Sequence, residues 1–133
     1  MPRPVSNQLT EVELQILQIL WDQGSSPVRV IHAELAELRD TNYSTTVKML
    51  SVMMDKQLVK RDENARPHIY SPVVTRKRAQ RRMLSNLIEQ VYEGSATSLV
   101  LQALSSRKAS SDDLKQIRDL LDQIEKNNKG DKS

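Results

Sequence analysis

The stretch that decides the fold is Tyr43-Ser44-Thr45-Thr46-Val47-Lys48-Met49-Leu50-Ser51-Val52-Met53-Met54-Asp55-Lys56. The hydroxyl side chains at its start suit a helix N-terminus, and Val47, Leu50 and Met54 then recur at i, i+3 and i+7 on one helical face. Two similar patterns precede it. Thr10-Glu11-Val12-Glu13 reads as a capping box; Leu14, Leu17, Leu20 and Trp21, flanked by Ile16 and Ile19, follow it, and Gly24 closes the segment. Ser26-Pro27 opens the next helix, with Pro27 where an amide hydrogen would lack a partner, and Val28, Ile31, Leu35 and Leu38 form its inner stripe. Downstream, Leu58-Val59-Lys60-Arg61 and His68-Ile69-Tyr70-Ser71 are β-leaning runs around a polar connector whose Asn64 is able to take a positive φ. They are expected to form a hairpin.

Three short helices followed by a two-stranded hairpin is the plan of a winged helix-turn-helix, assigned here to residues 1–73. In that plan the third helix enters the DNA major groove and the hairpin tip touches the adjacent backbone. With Val47, Leu50 and Met54 inward, the helical period turns Thr45, Lys48, Met49, Val52 and Lys56 outward. Thr45 and Lys48 can donate to base edges or phosphates. Met49 and Val52 either meet a thymine methyl or are ordinary exposed apolar residues, Met49 packing on the wing. Tyr43, Ser44 and Thr46 flank the helix start, where they serve phosphate oxygens or simply cap the helix. Arg66, at the wing tip, reads either as a minor-groove or phosphate ligand or as an exposed turn arginine.

Composition narrows the function classes. The chain has 133 residues, 38% hydrophobic and 28% charged, with 3 Gly, no Cys, no Phe and 3% aromatics. One ordinary domain or two very small ones fit that length. The absent cysteines exclude disulfides, thiolate metal sites and cysteine nucleophiles, and the scarce aromatics argue against a base-stacking platform. No nucleophile elbow, paired histidines or P-loop occurs, so no catalytic residue, cofactor or metal is expected. His32, His68 and Trp21 read as structural. No apolar run approaches bilayer length and Met1-Pro2-Arg3-Pro4 lacks a signal-peptide core, so a cytoplasmic protein is expected. The net charge of +3 is uneven: residues 1–72 hold 8 Lys/Arg against 9 Asp/Glu, whereas residues 73–94 hold 5 against 2. Those five, Arg76-Lys77-Arg78 and Arg81-Arg82, spread over more than half a helix circumference, so phosphate contact and a solvated surface both remain open.

From Thr75 onward helical patterns return, with Leu84, Leu87, Ile88 and Val91 on one face and a compact apolar segment containing Leu99, Val100 and Leu101. Ser110-Ser111-Asp112-Asp113 then caps a helix whose Leu114, Ile117, Leu121 and Ile124 fall at spacings of 3, 4 and 3. Residues 74–127 are too short to build a core without a partner helix layer, which favours dimerisation through these positions, although the last seam could pack within its own subunit. Residues 128–133 are expected to be a disordered tail.

Leu9-Thr10-Glu11-Val12-Glu13 with Ile19-Leu20-Trp21, the Tyr43–Val47 helix entry, Arg66 ahead of Ile69-Tyr70-Ser71-Pro72, and Ser98-Leu99-Val100-Leu101 occur in an order and spacing that resemble the penicillinase repressor family. The resemblance runs from about Leu9 to Glu125. It implies a homodimeric transcriptional repressor on a pseudo-palindromic operator in double-stranded DNA, with an N-terminal winged helix and a C-terminal helical dimerisation region. In the antibiotic-resistance branch of that family a membrane metalloprotease sensor triggers proteolytic inactivation. The resemblance therefore implies such a sensor, or a protease downstream of it, as a partner, with the cut near Leu101, Gln102 and Ala103. This chain departs from the family pattern in several places: Gln57 stands for the glycine usual after the third helix, Ala65 for the wing glycine, and Val52 for an arginine. Gln102-Ala103 replaces the cleaved Asn-Phe pair, and the cysteine motif of the copper-responsive branch is absent. A reading from another class is a winged-helix protein-interaction module without sequence-specific DNA binding, which the near-neutral charge of residues 1–72 favours.

Overall fold

The computed structural model describes residues 8–130, so the expectations for Met1–Pro4 and for residues 131–133 lie outside the described part. The elements are α1 (Glu11–Gln23), α2 (Val28–Leu38), α3 (Tyr43–Asp55), β1 (Val59–Asp62), β2 (Ile69–Pro72), α4 (Arg76–Val91), α5 (Ala96–Ser106) and α6 (Ser111–Gly130). The fold is mainly helical with a winged helix-turn-helix, and no described helix is long and apolar enough to cross a membrane.

The capping box forms as read. Thr10 Oγ1 accepts from the Glu13 amide at 3.2 Å and Glu13 Oε1 from the Thr10 amide at 2.9 Å, so two otherwise unpaired donors are satisfied. At the far end Gly24 sits at φ 88° and ψ −178°, a backbone region that essentially only glycine occupies. Immediately beyond it, Ser26 exchanges two backbone hydrogen bonds with Tyr70, at 3.0 and 2.9 Å, and adds a single-residue bridge to the edge of the wing. Pro27 is the N-cap of α2 rather than its first residue. Ile31 and Leu35 are buried, but Leu38, expected in the stripe, is exposed: it is the last residue of the helix, past the final covered turn.

The inner face of α3 is set by Thr46, Leu50 and Met53, all fully buried, and not by Val47, Leu50 and Met54. Val47 is exposed, while Met49 and Met54 pack partly against the core. The apolar pattern admitted both phases about Leu50. Thr46 decides between them, because its hydroxyl is only 2.8 Å from His32 Nδ1 on α2 and loses nothing by leaving water. The N-cap is Asn42, whose Oδ1 accepts from the Thr45 amide at 2.9 Å and from Ser44 Oγ at 2.8 Å.

α3 ends in a Schellman motif. The Leu58 amide donates to Met53 O at 2.9 Å and the Gln57 amide to Met54 O at 3.0 Å, with Gln57 in the left-handed region at φ 62°. Leu58 and Met53 both join the core, alongside Ile16, Leu17 and Leu20 of α1, Ile31 and Leu35 of α2, and Val59 and Tyr70 of the wing. The hairpin lies one residue later than its sequence runs, pairing Val59 with Pro72 and Arg61 with Tyr70. Its loop turns without a positive φ at Asn64, whose amide instead donates to Asp62 Oδ1 at 3.0 Å.

The chain divides into two compact units between Leu87 and Ile88. In the first, the Trp21 indole donates to Val74 O at 3.0 Å, Arg76 lies over the Trp21 ring at 5.4 Å and pairs with Asp22, and Ala79 is fully buried. These contacts group the first turns of α4 with α1 and the wing. In the second unit Ser95 caps α5, reciprocal bonds between Ser110 and Asp113 open α6, and no residue of either helix is buried. Residues 128–130, expected in a disordered tail, continue α6 to Gly130.

Candidate nucleic-acid interface

With Thr46, Leu50 and Met53 turned inward, Ser44, Lys48, Ser51 and Asp55 recur at spacings of four, three and four along the opposite, exposed side of α3. Thr45 and Val52 flank that row and are exposed too, and Tyr43 stands half-exposed at the helix start with its ring edge-on to His32 at 5.5 Å. Lys48 has no hydrogen-bond or ion-pair partner among the described residues, so its ammonium is available to an anion. The Asn42 cap leaves the Ser44 and Thr45 hydroxyls at the open end of the helix, beside amides that carry partial positive charge.

Two residues expected on this surface lie elsewhere. Thr46 is fully buried against His32 and acts as an internal latch between α2 and α3. Lys56, whose side chain is 9% exposed, sits 2.8 Å from both carboxylate oxygens of Glu13 and also donates to Gln8 O at 3.1 Å. Its charge is already balanced. Met49 is half-buried against the core, which matches its plainer reading more closely than a groove contact.

On the wing, Arg66 is exposed and folds back so that one guanidinium nitrogen donates to the carbonyls of Glu63 and Ala65. Arg61 is held by Glu63 at 2.7 Å and stacks 6.0 Å from the Tyr70 ring centroid. The hydrogen bond from Arg61 holds the Glu63 carboxyl below its ordinary 4.5, and the same bond raises the Arg61 guanidinium. A cleft of about 370 Å³ lies beside the wing and the starts of α2 and α3, lined by Pro27, Val28, Arg29, Tyr43, Pro67, His68 and Tyr70. Arg29, in the first turn of α2, is exposed and has no partner among the described residues, so it adds a cation beside the start of α3. Neither Arg29 nor Ser51 follows from apolar spacing alone: Arg29 lies off the inner stripe of α2, and Ser51 faces outward at the centre of the row only when Thr46 and Met53 turn inward. Among the described residues no cluster of His, Asp or Glu is arranged to hold a metal ion.

A model of the family described as penicillinase repressor matches residues 9–123. The penicillinase repressor of Staphylococcus aureus is 19% identical over 119 residues, covering 90% of this chain and 94% of that protein. The methicillin resistance regulatory protein MecI of Mammaliicoccus sciuri is 22% identical over 114 residues, 86% and 93% of the respective chains. The penicillinase repressor of Bacillus licheniformis is 20% identical over 116 residues, 87% and 91%. Among solved structures, a MarR family transcriptional regulator from Silicibacter pomeroyi aligns with a TM-score of 0.46 at 21% identity, covering 91% of this chain and 71% of that one. The chain belongs to the penicillinase repressor family, and with it to the transcriptional regulators rather than the enzymes.

Proposed function

We propose that this chain is a homodimeric transcriptional repressor that reads a pseudo-palindromic operator with the outer row of α3, two copies presenting two such rows. The observation that carries the reading is the free, exposed face of α3 built on a locked inner face. Ser44, Thr45 and Lys48 stand outward while Thr46, Leu50 and Met53 fix the helix from behind. Arg29 and Arg66 are the further cations beside the helix start and on the wing, suited to phosphates. Tyr43 and Val52 complete the surface, Val52 being the apolar member that suits a thymine methyl.

Dimerisation is supported by the second unit, in which Val91, Leu101, Leu114, Leu121 and Ile124 are all exposed, as are Leu84 and Leu87 of α4; Ile88, Leu99 and Ile117 are only half-buried. Apolar seams of this length on a single chain call for a second copy. Inactivation by a membrane protease sensor, or by a protease downstream of it, is the route the family offers. Leu101, Gln102 and Ala103 lie exposed in α5, a helix without a buried residue, which keeps the local cost of opening that segment low.

Fluorescence anisotropy with duplex DNA from the region upstream of the gene tests the reading. Lys48→Gln should weaken binding to any duplex and lower the salt slope by about 1, whereas Thr45→Ala should change sequence preference. No binding at low salt by a folded dimer would overturn it in favour of a protein-interaction module.

A further inference from the structure

The first turn of α4 carries Arg76, Lys77 and Arg78 and no acidic residue, an unfavourable arrangement at the positive end of a helix. Arg76 is relieved by Asp22 and by the Trp21 ring. Arg78 is not: its amide is capped by Thr75 Oγ1 at 3.2 Å, but its guanidinium has no partner among the described residues, and neither has that of Arg82 one turn on. Both line an open cleft of about 570 Å³, together with the Gln57–Leu58 turn, Val73, Val74 and the Lys56 stem. That volume falls within the range of small-molecule sites. The Lys56 ammonium is neutralised by Glu13, so Arg78 and Arg82 give the cavity its net positive charge. Three of the last α3 carbonyls, Val52 O, Met53 O and Met54 O, accept backbone hydrogen bonds from Lys56, Leu58 and Gln57. The cavity adjoins the C-terminal end of α3, about 16 Å along the helix from Thr45, so it is separate from the proposed reading surface.

We propose that this cleft between the end of α3, the root of the wing and α4 is a binding site for a small oxyanion, a phosphate- or carboxylate-bearing metabolite clamped by Arg78 and Arg82. Two guanidinium forks at i and i+4 suit the paired oxygens of either group. An occupant also braces the turn at Gln57.

The test is isothermal titration of the full chain at constant ionic strength, with inorganic phosphate in one arm and citrate in the other. One saturable site per chain in either arm is expected, and the arm that saturates identifies the class. Arg78→Gln with Arg82→Gln should weaken it by about tenfold or more, whereas Lys77→Gln with Arg81→Gln, which removes the same charge from the same helix outside the cleft, should leave it within about twofold. Absence of saturation in both arms, or equal loss in the two double variants, overturns the site. So does a loss of duplex-DNA binding in chloride buffer that is specific to the Arg78/Arg82 variant, which would give these arginines to nucleic-acid phosphates instead.

Discussion

Lys56 supplies a test that separates stability from recognition in one residue. Its ammonium lies 2.8 Å from both oxygens of a Glu13 carboxylate that is only 1% exposed and is otherwise served by the Thr10 amide. Lys56→Met keeps the aliphatic stem but leaves that carboxylate buried with one donor, a change that costs about 3 kcal/mol or more. Glu13→Gln keeps the acceptor for the Thr10 amide, and the released ammonium can extend toward water, so about 1–2 kcal/mol is expected. The double variant removes both charges and should cost less than the sum by roughly 2 kcal/mol. Urea unfolding followed by far-UV circular dichroism reads this directly: with a slope of about 1–3 kcal/mol per molar, Lys56→Met lowers the midpoint by roughly 1–3 M. The companion measurement is the salt dependence of duplex binding, in which Lys56→Met, assayed where it is folded, should leave the slope unchanged because this charge is spent internally. Additive unfolding energies together with a slope reduced by about one would refute the reasoning and return Lys56 to the DNA surface.

Gln57→Gly should raise stability by roughly 0.5–1 kcal/mol in the same urea assay, the gain from relieving a left-handed side chain exceeding the entropy that glycine adds to the unfolded chain; a loss would show that Gln57 makes a compensating interaction. Gly24→Ala should cost about 1–3 kcal/mol although a Cβ there meets nothing within 4 Å, because φ 88° with ψ −178° is the obstacle; an unchanged midpoint would refute this. The Glu63 carboxyl should titrate below 4.5 by NMR and return toward that value in Arg61→Gln. Because its folded value is depressed, the stabilising bond to Arg61 is present above 4.5 and is lost as pH falls through the lower folded value.

Much of the architecture was readable because it depends on short-range chemistry. The Thr10–Glu13 box, the Gly24 stop, the Ser110–Asp113 cap and the two β runs each follow from residues within a few positions of one another. The phase of α3 did not follow, because apolar spacing favours Val47 over Thr46 as an inner residue, and the His32 ring that satisfies the Thr46 hydroxyl lies fourteen positions away in the chain. Lys56 failed for the same reason on a longer scale: its partner Glu13 had already been assigned to a helix cap, and nothing local indicates that one carboxylate serves both. Gln57 is the reverse case. Its place where the family has glycine marked an irregular helix end, and the backbone keeps the glycine conformation with a different residue.

The distribution of charge in the winged helix also bears on why two copies would be needed. Two of its cations are ion-paired, Lys56 with Glu13 and Arg61 with Glu63, and Arg39 donates to the neutral Gln15 amide, while Lys60 on β1 is exposed and has no partner among the described residues. Around the exposed row of α3 this leaves Lys48 and Arg29, with Arg66 available once it gives up the loop carbonyls. About three phosphates neutralised per copy correspond to a salt slope near −3, a weak electrostatic grip, whereas two linked copies reach about −6 and gain from effective concentration as well. Sparse charge on one unit and the uncovered apolar seams of the other therefore support the same conclusion. On the proposed reading, an α3 face flanked by so few free cations would draw much of its affinity from pairing, and severing α5 should release DNA without altering any residue of that face.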